Sequence, residues 1–248
     1  MAIMEDNYVG MNEQHTVKNM KAKYNPYNGF YVSRHLLTAD YESDMSNLQL
    51  GHLVCAGTPI HLKYRGTDDI FRIIALRSLD GSNDTHVVPD ALASERPEDF
   101  TYTPAYHSSP NLKAAVDWFK CDKARIRIFR QLPGQNVLLH HDFDNERTNF
   151  SKENITVRII VNLSDTDSYF QLVNESCDIT IRLVQGQFTI INTDFTWHAT
   201  RNKDTVHRDT LNMIVKWNDW LAELTKPREV LEIEEVKLSA NVLEPVTA

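Results

Sequence analysis

Four side chains able to bind a cation fall in the stretch HHDFD: His140, His141, Asp142 and Asp144. The preceding residues, NVLL, are apolar enough for a strand. In a strand, successive side chains point to opposite faces. His140 and Asp142 therefore share one face, while His141 shares the other with Val137 and Leu139. An H-x-D pair offers one imidazole nitrogen and one carboxylate oxygen to a single ion. A second histidine would complete the two-histidine, one-carboxylate arrangement that holds Fe(II) with open positions for oxygen chemistry. His198, in FTIINTDFTWHATRN, lies 58 residues after His140, just beyond another strand-like run. Ten residues further on, Arg208 opens RDTLNMIVKW. Its planar guanidinium suits bidentate capture of the far carboxylate of a metal-chelating dicarboxylate. Singly, each of these residues has an ordinary structural explanation: a strand end, a turn or a solvated edge. Together, in this order and on strands of this type, they point to a metal site made by His140, Asp142 and His198.

Strands must position those groups, and the sequence supplies them. From about residue 69, short runs rich in Ile, Val, Thr and Phe alternate with Gly, Pro, Asn, Asp and Ser clusters. They include IFRIIALRS, ARIRIFRQL, NVLLHHD, ITVRIIVNL, SYFQLV, ITIRLV, QFTIIN and RDTLNMIVKW. Such a series predicts a mainly β fold, a sandwich or jelly roll. A helix is expected over SPNLKAAVDWF and another over NDWLAELTK. In ITVRIIVNL, Ile155, Val157, Ile159, Val161 and Leu163 line one face, opposite Thr156, Arg158, Ile160 and Asn162. In RDTLNMIVKW, Leu211, Met213 and Val215 oppose Arg208, Thr210 and Asn212. The polar faces suit bulk solvent and a barrel interior equally well.

The 248-residue chain has a net charge of −8, and its basic residues are scattered. A nucleic-acid partner is therefore not expected. No run of eighteen apolar residues appears, so no membrane span is expected. The N-terminus has no apolar signal-like segment. The three cysteines, Cys55, Cys121 and Cys177, are dispersed. They read as reduced thiols, implying a cytoplasmic protein.

The stretches RIRIFRQLPGQNVLLHHD, TVRIIVNLSDTDSYFQL, LVQGQFTIINTDFTWHATRN and HRDTLNMIVKW resemble the aspartyl/asparaginyl β-hydroxylase family of iron- and 2-oxoglutarate-dependent oxygenases. The resemblance spans about residues 69–217. It implies a double-stranded β-helix of jelly-roll, cupin-like type, with flanking helices mostly N-terminal. The domain plan that follows has a mixed, partly helical extension at 1–68, an oxygenase core at 69–225 and an acidic tail at 226–248. The implied iron ligands are His140, Asp142 and His198. Arg208 is the implied 2-oxoglutarate arginine, and Arg158 the strand arginine near a cosubstrate or substrate carboxylate. Many members carry a histidine where this chain has Ile160. Asp142 is kept, which favours hydroxylation over halogenation.

The implied activity uses Fe(II), 2-oxoglutarate and O2. It hydroxylates an unactivated C–H bond and releases succinate and CO2. The expected substrate is a small molecule, a free amino acid or an amino-acid-like metabolite. Alternatives are an Asp- or Asn-type residue in a peptide or protein, or a cupin-like barrel that binds a ligand without turnover. Arg127, Arg158, Trp197 and Asn212 are the candidate substrate contacts.

Overall fold

The computed structural model describes residues 30–52, 71–83, 96–140, 155–166, 168–174, 177–193, 196–226 and 234–238. The strands are β1 (Phe30–Val32), β2 (His35–Thr38), β3 (Gly51–His52), β4 (Phe71–Ser78), β5 (Thr101–Tyr102), β6 (Lys123–Gln131), β7 (Asn136–His140), β8 (Thr156–Asn162), β9 (Ser168–Asn174), β10 (Cys177–Ile181), β11 (Phe188–Ile191), β12 (Trp197–Asn202), β13 (Arg208–Lys216) and β14 (Glu234–Lys237). The helices are α1 (Tyr41–Asn47), α2 (Pro104–His107), α3 (Pro110–Trp118) and α4 (Asp219–Leu224).

Two antiparallel sheets carry the fold. The larger has eight strands in the order β1-β11-β8-β13-β6-β4-β3, with β5 joined to β4; the smaller has four, β10-β9-β12-β7. From β6 to β13 the chain crosses repeatedly between them. β6, β8, β11 and β13 lie in the larger sheet, and β7, β9, β10 and β12 in the smaller. This winding is a double-stranded β-helix, so the fold is mainly β and of jelly-roll type. Residues 30–52 are woven into it, because β1 pairs with β11 and β3 with β4. Within the C-terminal stretch, β14 docks in parallel on β2.

Alternation decides what each face of the larger sheet meets. Ile126, Ile128, Val157, Ile159, Val161, Leu211, Met213 and Val215 form a fully buried outer layer with Tyr41, Leu112, Val116, Phe119 and Leu221 from or beside the helices. Asp44 of α1 ties that helical layer together. Its carboxylate accepts from the Leu112 amide at 2.7 Å, capping the start of α3, and from Asn111 Nδ2 at 3.2 Å. Pro110 at the first turn of α3 withholds an N–H that has no helical partner in any case.

The opposite face of the larger sheet looks across to the smaller one. Phe30, Ile160 and Ile191 from the larger sheet meet Phe170, Leu172 and Ile181 from the smaller in a second buried cluster. The polar faces of β8 and β13 thus line the interior of the β-helix. One close approach fixes the path of β2 beside it. Gly186 has φ +81°, and a Cβ there would lie 2.5 Å from the Leu37 carbonyl oxygen. Only glycine fits that contact.

Candidate metal and dicarboxylate site

His140 ends β7 and His198 is the second residue of β12. They are direct cross-strand partners in the smaller sheet. His198 is also opposite Leu172, whose side chain belongs to the interior cluster. Both imidazoles therefore face inward, with ring centroids 4.3 Å apart. His198 is buried, with the Phe170 ring edge-on at 6.2 Å. His198 Nδ1 lies 3.2 Å from the Thr196 carbonyl oxygen. A proton on Nδ1 donates there and leaves the Nε2 lone pair for a metal, the usual way a backbone carbonyl orients a ligating histidine. The donor set thus fits a divalent ion at two corners. Asp142, the expected third ligand, and His141 lie outside the described residues. Among the described residues no cluster of three or more His, Cys, Asp or Glu side chains is placed to hold a metal.

Arg208 opens β13 on the facing sheet, opposite Gln131 of β6. It is only 4% exposed. Its Nε donates to Asn162 Oδ1 at a long 3.4 Å, and no carboxylate among the described residues pairs with it. Burial pushes its pKa down to about 10, so it is still a cation at neutral pH. The next residue shows the contrast: Asp209 points to the other face and takes Arg130 bidentately at 2.8 and 2.9 Å. The same strand pair therefore neutralises Arg130 and leaves Arg208 without a counter-ion among the described residues. A buried, unneutralised cation costs several kcal/mol, which an incoming anion would offset.

Neighbouring amides hold the surroundings of Arg208 rigid. Asn162 Nδ2 donates to the carbonyls of Ser164 at 2.6 Å and Leu183 at 2.8 Å, so its Oδ1 stays aimed at the guanidinium. Asn202, wholly buried at the end of β12, donates to the carbonyls of Gln131, Leu132 and Val206 and accepts from Ser168 Oγ. It thereby staples the smaller sheet to β6 and to the turn that delivers Arg208. Thr210, two residues after Arg208 on the same face, is 6% exposed. Four residues separate His198 from Asn202, about 13 Å of strand. The imidazole pair and the guanidinium thus stand at two levels of one interior.

Register also gathers the other expected contacts. Asn212 is opposite Arg127 on one side and Ile160 on the other. Arg158 is opposite Ile214 and Ile191. Arg125, Arg127, Phe129, Arg158 and Asn212 line one open concavity. Ile160, where many members of the resembling family have a histidine, packs into the apolar cluster between the sheets. Trp197 departs from expectation. It precedes His198 by one residue, so alternation sends its ring to the outer face of the smaller sheet, opposite Val173, where it is 44% exposed. Asn162, Thr210 and Asn202 were not singled out as functional from the sequence, although alternation already put Asn162 beside Arg158 and Thr210 beside Arg208. Arg125 was equally accessible, two residues before Arg127 in ARIRIF.

None of the described helices is long and apolar enough to cross a membrane. No family model matches the chain, and no curated protein matches it. Among solved structures it is similar to a prolyl hydroxylase from Trichoplax adhaerens, in complex with a hypoxia inducible factor oxygen degradation domain peptide fragment. That match has 11% identity and a TM-score of 0.47, and covers 85% of this chain and 95% of that one. A Pseudomonas putida prolyl-4-hydroxylase matches at 13% identity and a TM-score of 0.44, covering 83% and 98%. An oxidoreductase of the 2OG-Fe(II) oxygenase family from Burkholderia pseudomallei matches at 12% identity and a TM-score of 0.39, covering 71% and 76%.

Proposed function

We propose that this chain is an iron(II)- and 2-oxoglutarate-dependent oxygenase that hydroxylates an unactivated C–H bond of a free amino acid or amino-acid-like small molecule. The observation that carries the reading is Arg208: a buried guanidinium with no counter-ion among the described residues, set in the same interior as two inward-facing imidazoles. A metal alone would not call for that cation, and a structural arginine would be paired as Arg130 is. A ligand that is a metal chelator at one end and a carboxylate at the other meets both needs, and 2-oxoglutarate is such a molecule.

In this reading His140 and His198 hold the iron with Asp142, and the Thr196 carbonyl keeps the His198 ring in its ligating orientation. Arg208 grips the distal carboxylate, with the Thr210 hydroxyl beside it. Asn162 and Asn202 keep both in place. Phe170, Leu172, Ile160 and Ile191 keep one side of the interior dry, which strengthens the charged contact. Bound iron would supply oxygen activation coupled to conversion of 2-oxoglutarate to succinate and CO2. The test is calorimetric titration of 2-oxoglutarate into the Mn(II)-loaded protein, with succinate release measured on the Fe(II) form during a screen of amino acids and peptides. Binding that needs both the metal and Arg208, with succinate release stimulated by an amino acid, is expected. Stimulation by peptides alone would move the substrate to a polypeptide. Absence of 2-oxoglutarate binding would overturn the reading.

A further inference from the structure

We propose that the Thr200 hydroxyl is a further binding group for the dicarboxylate gripped by Arg208. It donates to the distal carboxylate from the smaller sheet, across the interior from the Thr210 hydroxyl of the larger one. The inference rests on the oxygenase reading above and deepens it by one named contact.

β12 pairs with β9 without a register break from Trp197 to Asn202, so His198, Thr200 and Asn202 share one face. Thr200 stands opposite Phe170 and His198 opposite Leu172, and both partners belong to the cluster between the sheets. Thr200 therefore faces the interior, midway between His198 and Asn202 and about 7 Å of strand from each. The turn 203–207 joins β12 to β13, so moving away from it along either strand leads the same way. On β12 that step goes from Asn202 to Thr200, and on β13 from Arg208 to Thr210. The two hydroxyls thus stand one step from the level of the guanidinium, on the side of His198.

Thr200 is partly exposed, yet its Oγ1 is buried and has no hydrogen-bond partner among the described residues. A hydroxyl taken from water without a partner carries a cost that nothing in the ligand-free protein offsets. Thr210 Oγ1 accepts from Asn212 Nδ2 at 3.1 Å, which leaves its own proton to donate. A carboxylate offers about four acceptor positions, and one guanidinium fork fills two of them. A hydroxyl from each sheet fills the remainder. Thr189 carries another unpaired hydroxyl, but it is wholly buried beside Ile160 in β11, two strands from β13, and is out of line with Arg208.

The experiment titrates 2-oxoglutarate calorimetrically into the full-length, Mn(II)-loaded protein and follows thermal unfolding of the ligand-free protein. Wild type is compared with Thr200→Val, which exchanges the hydroxyl for a methyl group, and with Thr200→Ser, which keeps the hydroxyl. Thr200→Ala replaces the valine variant if that one does not fold. Thr200→Val should weaken 2-oxoglutarate binding at least about tenfold, a loss of about 1.4 kcal/mol. Thr200→Ser should stay within about threefold of wild type. Without ligand, Thr200→Val should unfold at or above the wild-type temperature, because it no longer buries an unpaired hydroxyl. Mn(II) affinity should be the same in all of these proteins. Wild-type 2-oxoglutarate affinity in Thr200→Val would overturn the proposal. So would a lowered unfolding temperature, which would show the hydroxyl to be partnered already. A parallel loss of Mn(II) affinity would also overturn it and make Thr200 a support for His198. Binding of 2-oxoglutarate that requires Arg208 and ignores Thr200 would leave the oxygenase reading standing without this contact. No 2-oxoglutarate binding in wild type would remove the reading itself.

Discussion

Replacing Arg208 by glutamine should make the ligand-free protein more stable while removing its affinity for 2-oxoglutarate. The guanidinium is buried, its one hydrogen bond among the described residues, to Asn162, is long, and desolvation pushes its pKa down from the ordinary arginine range to about 10. A depression of that size corresponds to about 3 kcal/mol against folding with the charge in place. Glutamine removes the charge and keeps an N–H for Asn162. The smaller side chain leaves some empty volume, which takes back part of the gain. A net stabilisation of about 1–2 kcal/mol is expected, a rise in Tm of roughly 2–8 °C for a chain of this size. Ligand affinity moves the other way. A bidentate pair of charge-assisted hydrogen bonds contributes about 3 kcal/mol or more, so Kd should weaken on the order of a hundredfold. Wild-type protein at a hundred times its Kd should gain about 2.7 kcal/mol from 2-oxoglutarate, and the variant almost nothing. The pH dependence has a definite sign. The folded pKa is depressed, so from about 10 up to the ordinary arginine range the unfolded chain holds the proton more tightly, and this group's contribution to stability rises with pH. Over the same window 2-oxoglutarate affinity should fall, because the free site loses its charge. The assay is thermal unfolding with and without ligand, beside titration calorimetry at several pH values. A variant that is less stable without ligand and still binds 2-oxoglutarate with wild-type affinity would refute the reasoning and make Arg208 a structural residue.

Metal binding should separate the clustered residues: His140→Ala and His198→Ala should abolish high-affinity Co(II) binding followed by absorption spectroscopy, Asp142→Gly should weaken it, and His141→Ala should keep it. Wild-type binding in Asp142→Gly would withdraw the three-ligand assignment. Asn202→Leu should lower stability by about 3 kcal/mol or more, since several buried partners lose their hydrogen bonds. It should also weaken 2-oxoglutarate binding by loosening the turn before Arg208; chemical denaturation and titration measure the two effects. Gly186→Ala should cost about 2–4 kcal/mol in denaturant unfolding, because the new Cβ meets the Leu37 carbonyl at a positive φ.

Local chemistry in the chain determined a good deal. Period-2 alternation made Leu211, Met213 and Val215 one face and Arg208, Thr210 and Asn212 the other, and the structure keeps both sets. The helix expected in SPNLKAAVDWF forms over Pro110–Trp118, and NDWLAELTK holds Asp219–Leu224. The outward turn of Trp197 was also implicit, since it follows from its position beside His198. Alternation failed in NVLLHH, where it set Val137 on the face opposite His140: the register of β7 on β12 shifts between His198 and Thr200, so Val137, opposite Thr200, is buried on the same face as His140. What alternation lacks is any statement of which face is covered. Polar faces on β8 and β13 suit water as well as an interior until a second sheet is laid over them, and that layer comes from β7, β9, β10 and β12. The 4.3 Å approach of His140 and His198 depends on a register set between segments 58 residues apart. The difference between Arg130, paired with Asp209, and Arg208, with no carboxylate partner among the described residues, is equally a tertiary matter. Strand pairing set Asp209 opposite Arg130, and burial between two sheets closed Arg208 away from solvent. Residue identity supplies the charge, but only packing decides whether that charge is neutralised, hydrated or held for a ligand.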